Sequence, residues 1–219
     1  MYIKDDENGM ENLKLFIEMW EGKALPEYGM LDEEVPRFLP KPLRDLYLFS
    51  GKWPHPRKKD VGYSDPYGDQ KIFDNQDFLV EVESLEKKNG KVTFLFENQG
   101  NWTCEVEVNN DNSPVYSDAA EVWDENASGH EIVCESLTNF LITYCLQELV
   151  FGSRYVGTIE DKLKMEQILK NSEPLWLDGF YVNKEPDHSF YIYNHKLLIM
   201  DHGGLWYACN DESALALIV

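Results

Sequence analysis

Five histidines are the side chains best suited to chemistry in this chain, because imidazole binds metals and titrates near neutral pH. They are His55, His130, His188, His195 and His202. The last three follow one another at seven-residue intervals. Zinc sites need ligands that converge, usually from closely spaced pairs, whereas these three histidines fall in three separate predicted turns. We therefore predict turn and surface histidines and no metal site.

The carboxylates and loops give no clearer sign of catalysis. Asp118, Glu121 and Asp124 are close enough in sequence to suggest paired acid–base groups, but no pattern typical of a pocket accompanies them. The segment Asn109–Ser113 lacks the glycine and the final glutamate of a calcium-binding EF-hand loop. The sequence also contains no phosphate-binding or dinucleotide-binding glycine motif. We predict a protein that is not an enzyme, with no catalytic residues and no cofactor.

The distribution of charge is more informative. The 219 residues include 40 acidic and 20 basic side chains, which gives a formal net charge of −20. Residues 92–153, a stretch of 62 positions, contain no lysine or arginine but hold eleven acids. Those acids are Glu97, Glu105, Glu107, Asp111, Asp118, Glu121, Asp124, Glu125, Glu131, Glu135 and Glu148. A field of one sign repels nucleic acid and anionic membranes and attracts cationic surfaces. The stretch predicts a basic protein partner; the alternative is a solvated acidic face that serves only solubility.

Composition also indicates the compartment. There is no run of 18 apolar residues, so no membrane span is predicted. The first ten residues are polar and acidic, unlike a secretory signal. The four cysteines lie far apart with no closely spaced pair, which is typical of reduced, packed thiols. We expect a cytoplasmic protein.

Periodicity predicts the elements that must position these residues. Apolar stripes with helical spacing indicate helices over Met10–Trp20, around Leu43–Tyr47, and after Ser136. Residues 52–76 are expected to form a long loop. Alternating residues from Phe78 onward, with a turn at Asn89-Gly90, indicate an antiparallel meander.

The third strand of that meander has two unlike faces. Trp102, Cys104, Val106 and Val108 share one parity and predict the core face. Glu105 and Glu107 fall on the other, acidic face. Among the remaining tryptophans, we expect Trp53 to be an exposed anchor in a proline-rich loop and Trp123 to cover the edge of the core.

A second unit is predicted over residues 152–219. Thr158 and Asp161 resemble a capping box that opens a helix to about Asn171. Apolar runs then predict strands over residues 176–182, 190–193, 197–200, 205–208 and 214–219. The fold class expected for the chain is therefore α+β, with a mixed, largely antiparallel sheet flanked by helices (residues 1–151) and a β-rich C-terminal extension, which belongs either to the same domain or to a second one.

Several segments, taken in order, resemble one family. They are Leu39–Gly51 (LPKPLRDLYLFSG), Phe96–Trp102 (FENQGNW), Pro114–Tyr116 (PVY), Trp123 and Ser136–Leu141 (SLTNFL). The set is similar to the SUKH superfamily, which includes immunity proteins of bacterial toxin systems and fungal regulators of cell-wall synthesis. The resemblance covers about residues 36–151. The chain departs from the compact family pattern in its long 52–76 loop and its C-terminal extension.

The resemblance implies helices around a mixed sheet, no catalysis, and cytoplasmic neutralisation of a toxin, often a nuclease, by direct binding. Together with the charge it predicts an immunity protein whose partner is a basic toxin domain. The alternative is a non-catalytic regulatory or scaffold module of the fungal type. Neither nucleic acid nor membrane is expected as a partner, and the oligomeric state stays open. The predicted partner-binding residues are Glu105, Glu107, Asp111, Asp118, Glu121, Asp124, Glu125 and Trp53.

Overall fold

The computed structural model describes residues 2–56 and 70–218. The helices in those ranges are α1 (Gly9–Glu21), α2 (Lys41–Ser50), α3 (Leu137–Gly152) and α4 (Lys162–Lys170). The first six strands are β1 (Asp77–Leu79), β2 (Lys87–Lys88), β3 (Lys91–Glu97), β4 (Thr103–Glu107), β5 (Val115–Ser117) and β6 (Glu131–Cys134). The remaining strands are β7 (Tyr155–Ile159), β8 (Ser172–Gly179), β9 (His188–Tyr193), β10 (Leu197–Asp201) and β11 (Leu205–Cys209).

These strands form two antiparallel sheets. The first sheet has the order β1-β3-β4-β5-β6, with β2 also paired to β3. The second sheet has the order β7-β11-β10-β9-β8. The α+β prediction is confirmed. The predicted hairpin at Asn89-Gly90 joins β2 to β3, and both turn residues have positive φ, which this type of turn requires. Sequence alone left open whether the C-terminal strands extend the first sheet; they form a sheet of their own.

Helix α3 lies between the two sheets. It contacts α1, α2, β6, β8, β10 and β11, and nearly all of its residues are buried. One hydrophobic cluster includes Phe94 of the first sheet, Phe140 of α3, and Leu198 and Met200 of the second. A smaller cluster on the far side of the second sheet includes Leu197. The molecule is therefore layered as sheet, helices, sheet and an outer layer that contains α4.

Two rows of side chains along α3 connect these layers. Asn139, Thr143 and Gln147, spaced at i, i+4 and i+8, bond to the second-sheet half: to the Phe180 N–H (2.9 Å), the Trp176 indole (3.0 Å) and the His188 ring (3.0 Å). The next row contains Tyr144, whose hydroxyl donates to the Phe73 carbonyl at 2.7 Å, and Glu148. Residues four apart share one helix face, so the first row meets the second-sheet half, and Gln147 at its end also reaches Asp77 of the first sheet.

Some local predictions are wrong for identifiable reasons. The run from Ala214 is not a strand; Glu212–Leu217 is a 3-10 helix whose turn begins with an Asp211 cap. Thr158 is not a cap but part of β7, and Asp161 itself caps α4 by accepting from two backbone N–H groups. The expected strand after Phe78 is interrupted after Leu79, and the 52–76 loop falls partly outside the described residues.

Candidate functional site

The outer face of the first sheet carries acids, as period-two alternation predicts. Trp102 is 7% exposed, and Cys104 and Val106 are fully buried. Glu105 and Glu107 lie on the opposite face and are partly exposed. The prediction of one dry face and one acidic face on β4 is therefore confirmed. A one-residue slip in register would have exchanged the two sets.

Bases from other parts of the chain reach this acidic surface. The Lys91 ammonium lies 3.1 Å from the centre of the Tyr116 ring, and the Tyr116 hydroxyl donates to Glu107 at 2.7 Å. Hydrogen bonds from Tyr116 and then Asn110 lower the Glu107 pKa. Lys184 pairs with Glu131 at 2.7 Å. Residues 92–153 contain no lysine or arginine, but Lys91 and Lys184 from outside this stretch lie against its side chains. Part of the acidic surface therefore has a base beside it.

Most of the other acids predicted to bind a partner also hold the chain together. Asp111 accepts from the Lys41 N–H at the start of α2, and Asp118 accepts from the Thr103 N–H, both at 2.7 Å. Glu121 accepts from the Gly129 N–H, and Asp124 from the Asn126 N–H. Glu125 is exposed, and Glu148 lies in the core rather than on the surface. These contacts tie four of the predicted partner-binding acids to the protein's own backbone.

Trp123 lies among these acids. Its side chain is 62% exposed, and that of Val122 is 45% exposed. The expectation that Trp123 covers the core edge is wrong, because the 3-10 helix Ala119–Val122 ends the strand pattern before it. We call residues 118–130 the Trp123 loop. Glu121, Asp124 and Glu125 are the acidic neighbours of Trp123 in sequence.

Hydrogen bonds fix the Trp123 loop at both ends. At its start, Asp118 bonds to Thr103, and the Ser117 hydroxyl accepts from the Ala119 N–H at 3.1 Å. At its end, His130 Nε2 lies 2.9 Å from the Thr103 hydroxyl. The Glu121 contact with Gly129 closes the loop across its middle. The exposed tryptophan therefore sits on an ordered loop, which limits the entropy lost when such a residue binds.

Trp53 has a different position from the one expected. It is 2% exposed, stacks on Tyr28 with ring centres 4.9 Å apart, and meets Phe49 edge-on at 5.5 Å. The expectation of an exposed anchor is wrong, because Trp53 packs against Tyr28 and Phe49 in the core. Trp53 is a core residue of the α2 region.

Two of the five histidines converge, contrary to the expectation of separate turns. The rings of His188 and His202 stack with centres 3.8 Å apart and planes 9° apart. Asp187 Oδ1 lies 2.6 Å from His188 Nδ1, and Asp187 Oδ2 lies 3.5 Å from His202 Nδ1. His188 is buried, as is His55, so neither is a surface histidine. His195 remains on the surface.

The three converging residues present potential metal ligands within 4.8 Å of one another. A metal bound to imidazole lies in the plane of the ring at about 2 Å from nitrogen. Two nearly parallel rings stacked face to face do not place one point in both planes at that distance. Metal binding here requires one ring to turn. In the arrangement as it stands, His188 Nδ1 contacts the Asp187 carboxylate, and His202 Nδ1 lies 3.2 Å from the backbone carbonyl oxygen of Asp187.

A buried polar network begins at this cluster and crosses the core. Gln147 lies between His188 Nε2 (3.0 Å) and Asp77 Oδ2 (3.4 Å), and the Tyr181 hydroxyl donates to the same Asp77 oxygen at 2.5 Å. Asp77 is 2% exposed, and among the described residues its Oδ1 has no hydrogen-bond partner. Burial raises the Asp77 pKa to about 6, against the opposing hydrogen bond from Tyr181. Burial also lowers the His188 pKa, although Asp187 opposes this.

Glu148 is the second buried carboxylate. It accepts from the backbone N–H groups of Asn75, Gln76 and Asp77 at 2.6–3.2 Å. Burial and the nearby Asp77 raise its pKa well above the usual range, while the three N–H donors act in the opposite direction. Its contacts hold the chain that enters β1 against α3, which is a structural role.

The sequence contained a weak signal for part of this site. Polar residues at positions 139, 143 and 147 form a helical stripe inside an otherwise apolar run, which indicates buried hydrogen bonding. No local pattern pointed to Asp77 or Tyr181, because their pairing depends on tertiary packing. For Trp123, the polar residues that follow it, Asp124 to Asn126, were the available sign of a loop tip.

Comparisons with known proteins found no relative of this chain. No family model, no curated protein and no solved structure matches the chain. Among the described residues, no helix has the length and apolar character needed to cross a membrane.

Proposed function

We propose that the chain is a cytoplasmic immunity protein that binds and neutralises a basic toxin domain, with Trp123 as the anchor of the binding surface. The observation that carries this proposal is a tryptophan 62% exposed on an ordered loop whose neighbours are acidic. Tryptophan is enriched among the residues that contribute most to binding energy in protein interfaces. Folding alone gives no reason to leave this indole in water.

The charge of the surface supports a basic partner. The chain carries a formal net charge of −20, so a second copy of the same chain is repelled, as are nucleic acid and anionic lipid. Glu105 on the outer sheet face and Glu125 in the Trp123 loop add negative charge that no described ion pair neutralises. Acidic groups around an aromatic anchor suit a partner with an apolar pocket rimmed by lysine or arginine.

The toxin assignment rests on the resemblance to the SUKH superfamily together with this surface. Nuclease toxins bind the phosphates of their substrates with basic grooves, and an acidic surface matches the charge of such a groove. A protein that covers the groove blocks the enzyme without any chemistry of its own. This reading requires no catalytic residue and no cofactor from the chain.

The test uses the purified protein encoded by the gene next to this one, and measures association and dissociation rates at several salt concentrations. Charge steering predicts an on-rate that falls sharply as the Debye length decreases from about 10 Å at 0.1 M to about 3 Å at 1 M. The triple variant Glu105→Gln, Asp124→Asn, Glu125→Gln should lower the on-rate and flatten its salt dependence. Trp123→Ala should instead raise the off-rate, since most interface changes act there.

The chain provides matched controls. The triple variant Asp6→Asn, Glu7→Gln, Glu33→Gln removes the same charge from exposed positions, and Asp6 accepts from the Asn8 N–H as Asp124 does from Asn126. Leu163→Ala removes an exposed apolar side chain on α4. Neither control should change the rates by more than about twofold. Binding that ignores salt, the acidic triple variant and Trp123→Ala alike contradicts the proposal.

A further inference from the structure

We propose that β7, an edge strand of the second sheet, pairs with β7 of a second copy of this chain about a two-fold axis at Gly157. β7 is the first strand in the order β7-β11-β10-β9-β8, so one side of it has no neighbouring strand. The backbone N–H and C=O groups on such a side are a template for pairing with another chain. Pairing joins the second sheets of the two copies into one. This inference does not depend on the proposed function, which concerns the first-sheet half.

Among the sheet edges in the described residues, β7 has the fewest features that protect against pairing. β8 contains Pro174 and two register shifts, and β6 starts with Glu131 and has one shift. The edge beside β3 consists of β1 and β2, which are three and two residues long. By contrast, β7 (YVGTI) contains neither proline nor charge and pairs with β11 over five residues without a shift. Short length, proline, charge and bulges are the usual protections of an edge.

Neighbouring elements leave this edge accessible. α3 contacts β8, β10 and β11, and α4 contacts β7 and β9, so α4 crosses the sheet instead of following its edge. Val156 is 39% exposed, and Thr158 is also exposed. Outside the ladder with β11, no backbone hydrogen bond joins Tyr155–Ile159 to another described residue. The outward side of β7 is therefore open to a strand of another molecule.

The sequence around β7 is complementary to itself in antiparallel pairing. An axis at Gly157 places Arg154 opposite Glu160 of the second copy, and the same pair forms again at the other end of the strand. Both residues are exposed. Apart from Gly157, the residues between them are uncharged and have high β propensity. An axis at Thr158 would instead bring Arg154 opposite Lys162, so the charges favour the axis at Gly157.

The local charge also permits a second copy to approach. The whole chain carries a formal charge of −20, which repels another copy at long range. Residues 152–170, which include β7 and α4, contain four bases and three acids, so this segment is not acidic. At physiological ionic strength the Debye length is about 8 Å, and more distant exposed acids are largely screened. Two copies can therefore meet at β7 despite their net charge.

A charge exchange tests the proposed register. Arg154→Glu puts two carboxylates opposite each other, and Glu160→Arg puts two guanidinium groups opposite each other. Each change acts twice in a symmetric dimer, so each should raise the dimer dissociation constant about tenfold. The double variant restores opposite charges and should return the constant to within about twofold of the wild-type value. Sedimentation equilibrium from about 1 µM to about 500 µM measures the constant, because a small interface predicts a weak dimer.

Matched controls separate strand pairing from net charge. Glu166→Arg and Lys170→Glu make the same changes of charge at exposed positions of α4. If net charge alone controlled association, Glu160→Arg and Glu166→Arg would both tighten the dimer, because both make the chain less negative. The proposed register predicts that Glu160→Arg weakens the dimer and that Glu166→Arg does not. The proposal is overturned by tighter association of Glu160→Arg, by a double variant that does not recover, or by a single-chain mass at every concentration.

A second measurement locates the interface while β7 keeps its natural sequence. A nitroxide attached at Lys162→Cys lies just beyond β7, and the four native cysteines are buried. Labelled molecules are mixed with isotope-labelled copies that carry no nitroxide. The amide signals of residues 152–159 should broaden most, because position 162 lies opposite position 152 in this register. Strongest broadening in β6, β8 or the Trp123 loop overturns the proposal.

Discussion

The hydroxyl of Tyr181 donates to the carboxyl of Asp77 with 2.5 Å between the two oxygens, although the residues are 104 positions apart. Tyr181 follows β8 of the second sheet, and Asp77 begins β1 of the first. The Tyr181 ring also stacks on Phe140 and meets Trp102 edge-on. One side chain thus joins a polar contact and an aromatic cluster across the middle of the protein.

Removal of this hydroxyl should destabilise the fold. Tyr181→Phe keeps the ring and removes the 2.5 Å hydrogen bond to the buried Asp77 carboxyl. We expect a loss of about 1–3 kcal/mol in the free energy of unfolding, the usual cost of an unsatisfied buried acceptor. Urea denaturation measures it, with Tyr2→Phe at an exposed position as the control. An unchanged midpoint shows that the hydroxyl contributes nothing.

The two tryptophans of the first-sheet region should behave in opposite ways. Trp102→Ala should cost roughly 3–5 kcal/mol, because its side chain is buried against Tyr181. Trp123→Ala should change stability by no more than about 0.5 kcal/mol, as is typical of exposed positions. Denaturant melts of the two variants under one condition test both statements. A large loss from Trp123→Ala gives that residue a structural role and removes it from the binding surface.

Asp111 should prove to be a stabilising residue. Its carboxylate accepts from the Lys41 N–H, one of the unpaired donors at the start of α2. Asp111→Ala should therefore lower stability by about 1 kcal/mol, whereas Asp111→Asn should lower it less, since asparagine also accepts at helix starts. Thermal melts compare the two. Equal losses from both variants contradict a capping role.

Asp187 should make stability depend on pH in the acid range. Burial raises its pKa, but the hydrogen bond and charge of His188 lower it more, so the net shift is downward. A lowered pKa stabilises the fold above the unfolded value of about 3.8, and this contribution is lost as pH falls below it. Asp187→Asn should be less stable than wild type at pH 6, and the difference should narrow towards pH 3. A constant difference in urea melts across this range contradicts the assignment.

Period-two and helical patterns predicted α1, the meander and the two faces of β4, because each depends on residues close in sequence. The positions of Trp53 and Trp123 were exchanged in the predictions: the buried residue was expected outside and the exposed residue at the core. The proline-rich context of Trp53 indicated a loop, but its burial depends on Tyr28 and Phe49 in other segments. The partner and the immunity role stay predictions.

The candidate site was harder to predict than the fold. Glu105 and Glu107 followed from alternation, whereas the contacts of Asp118 and Glu121 depend on how the Trp123 loop closes. The convergence of His188 and His202 depends on the register of β9 with β10, which fixes Ser189 opposite Asp201. Seven-residue spacing does not encode that register, so sequence placed the histidines in separate turns.

The rows along α3 also set how the protein tolerates changes of length. Asn139, Thr143 and Gln147 each meet a different partner in the second-sheet half, so the rotation of the helix about its axis is fixed at three points. One extra residue inserted between them turns the following part of the helix by about 100°. After this rotation, the side chains that follow the insertion in both rows would face the wrong layers. Insertions should therefore be tolerated in the exposed turn at Asn194–Lys196 but not within this helix.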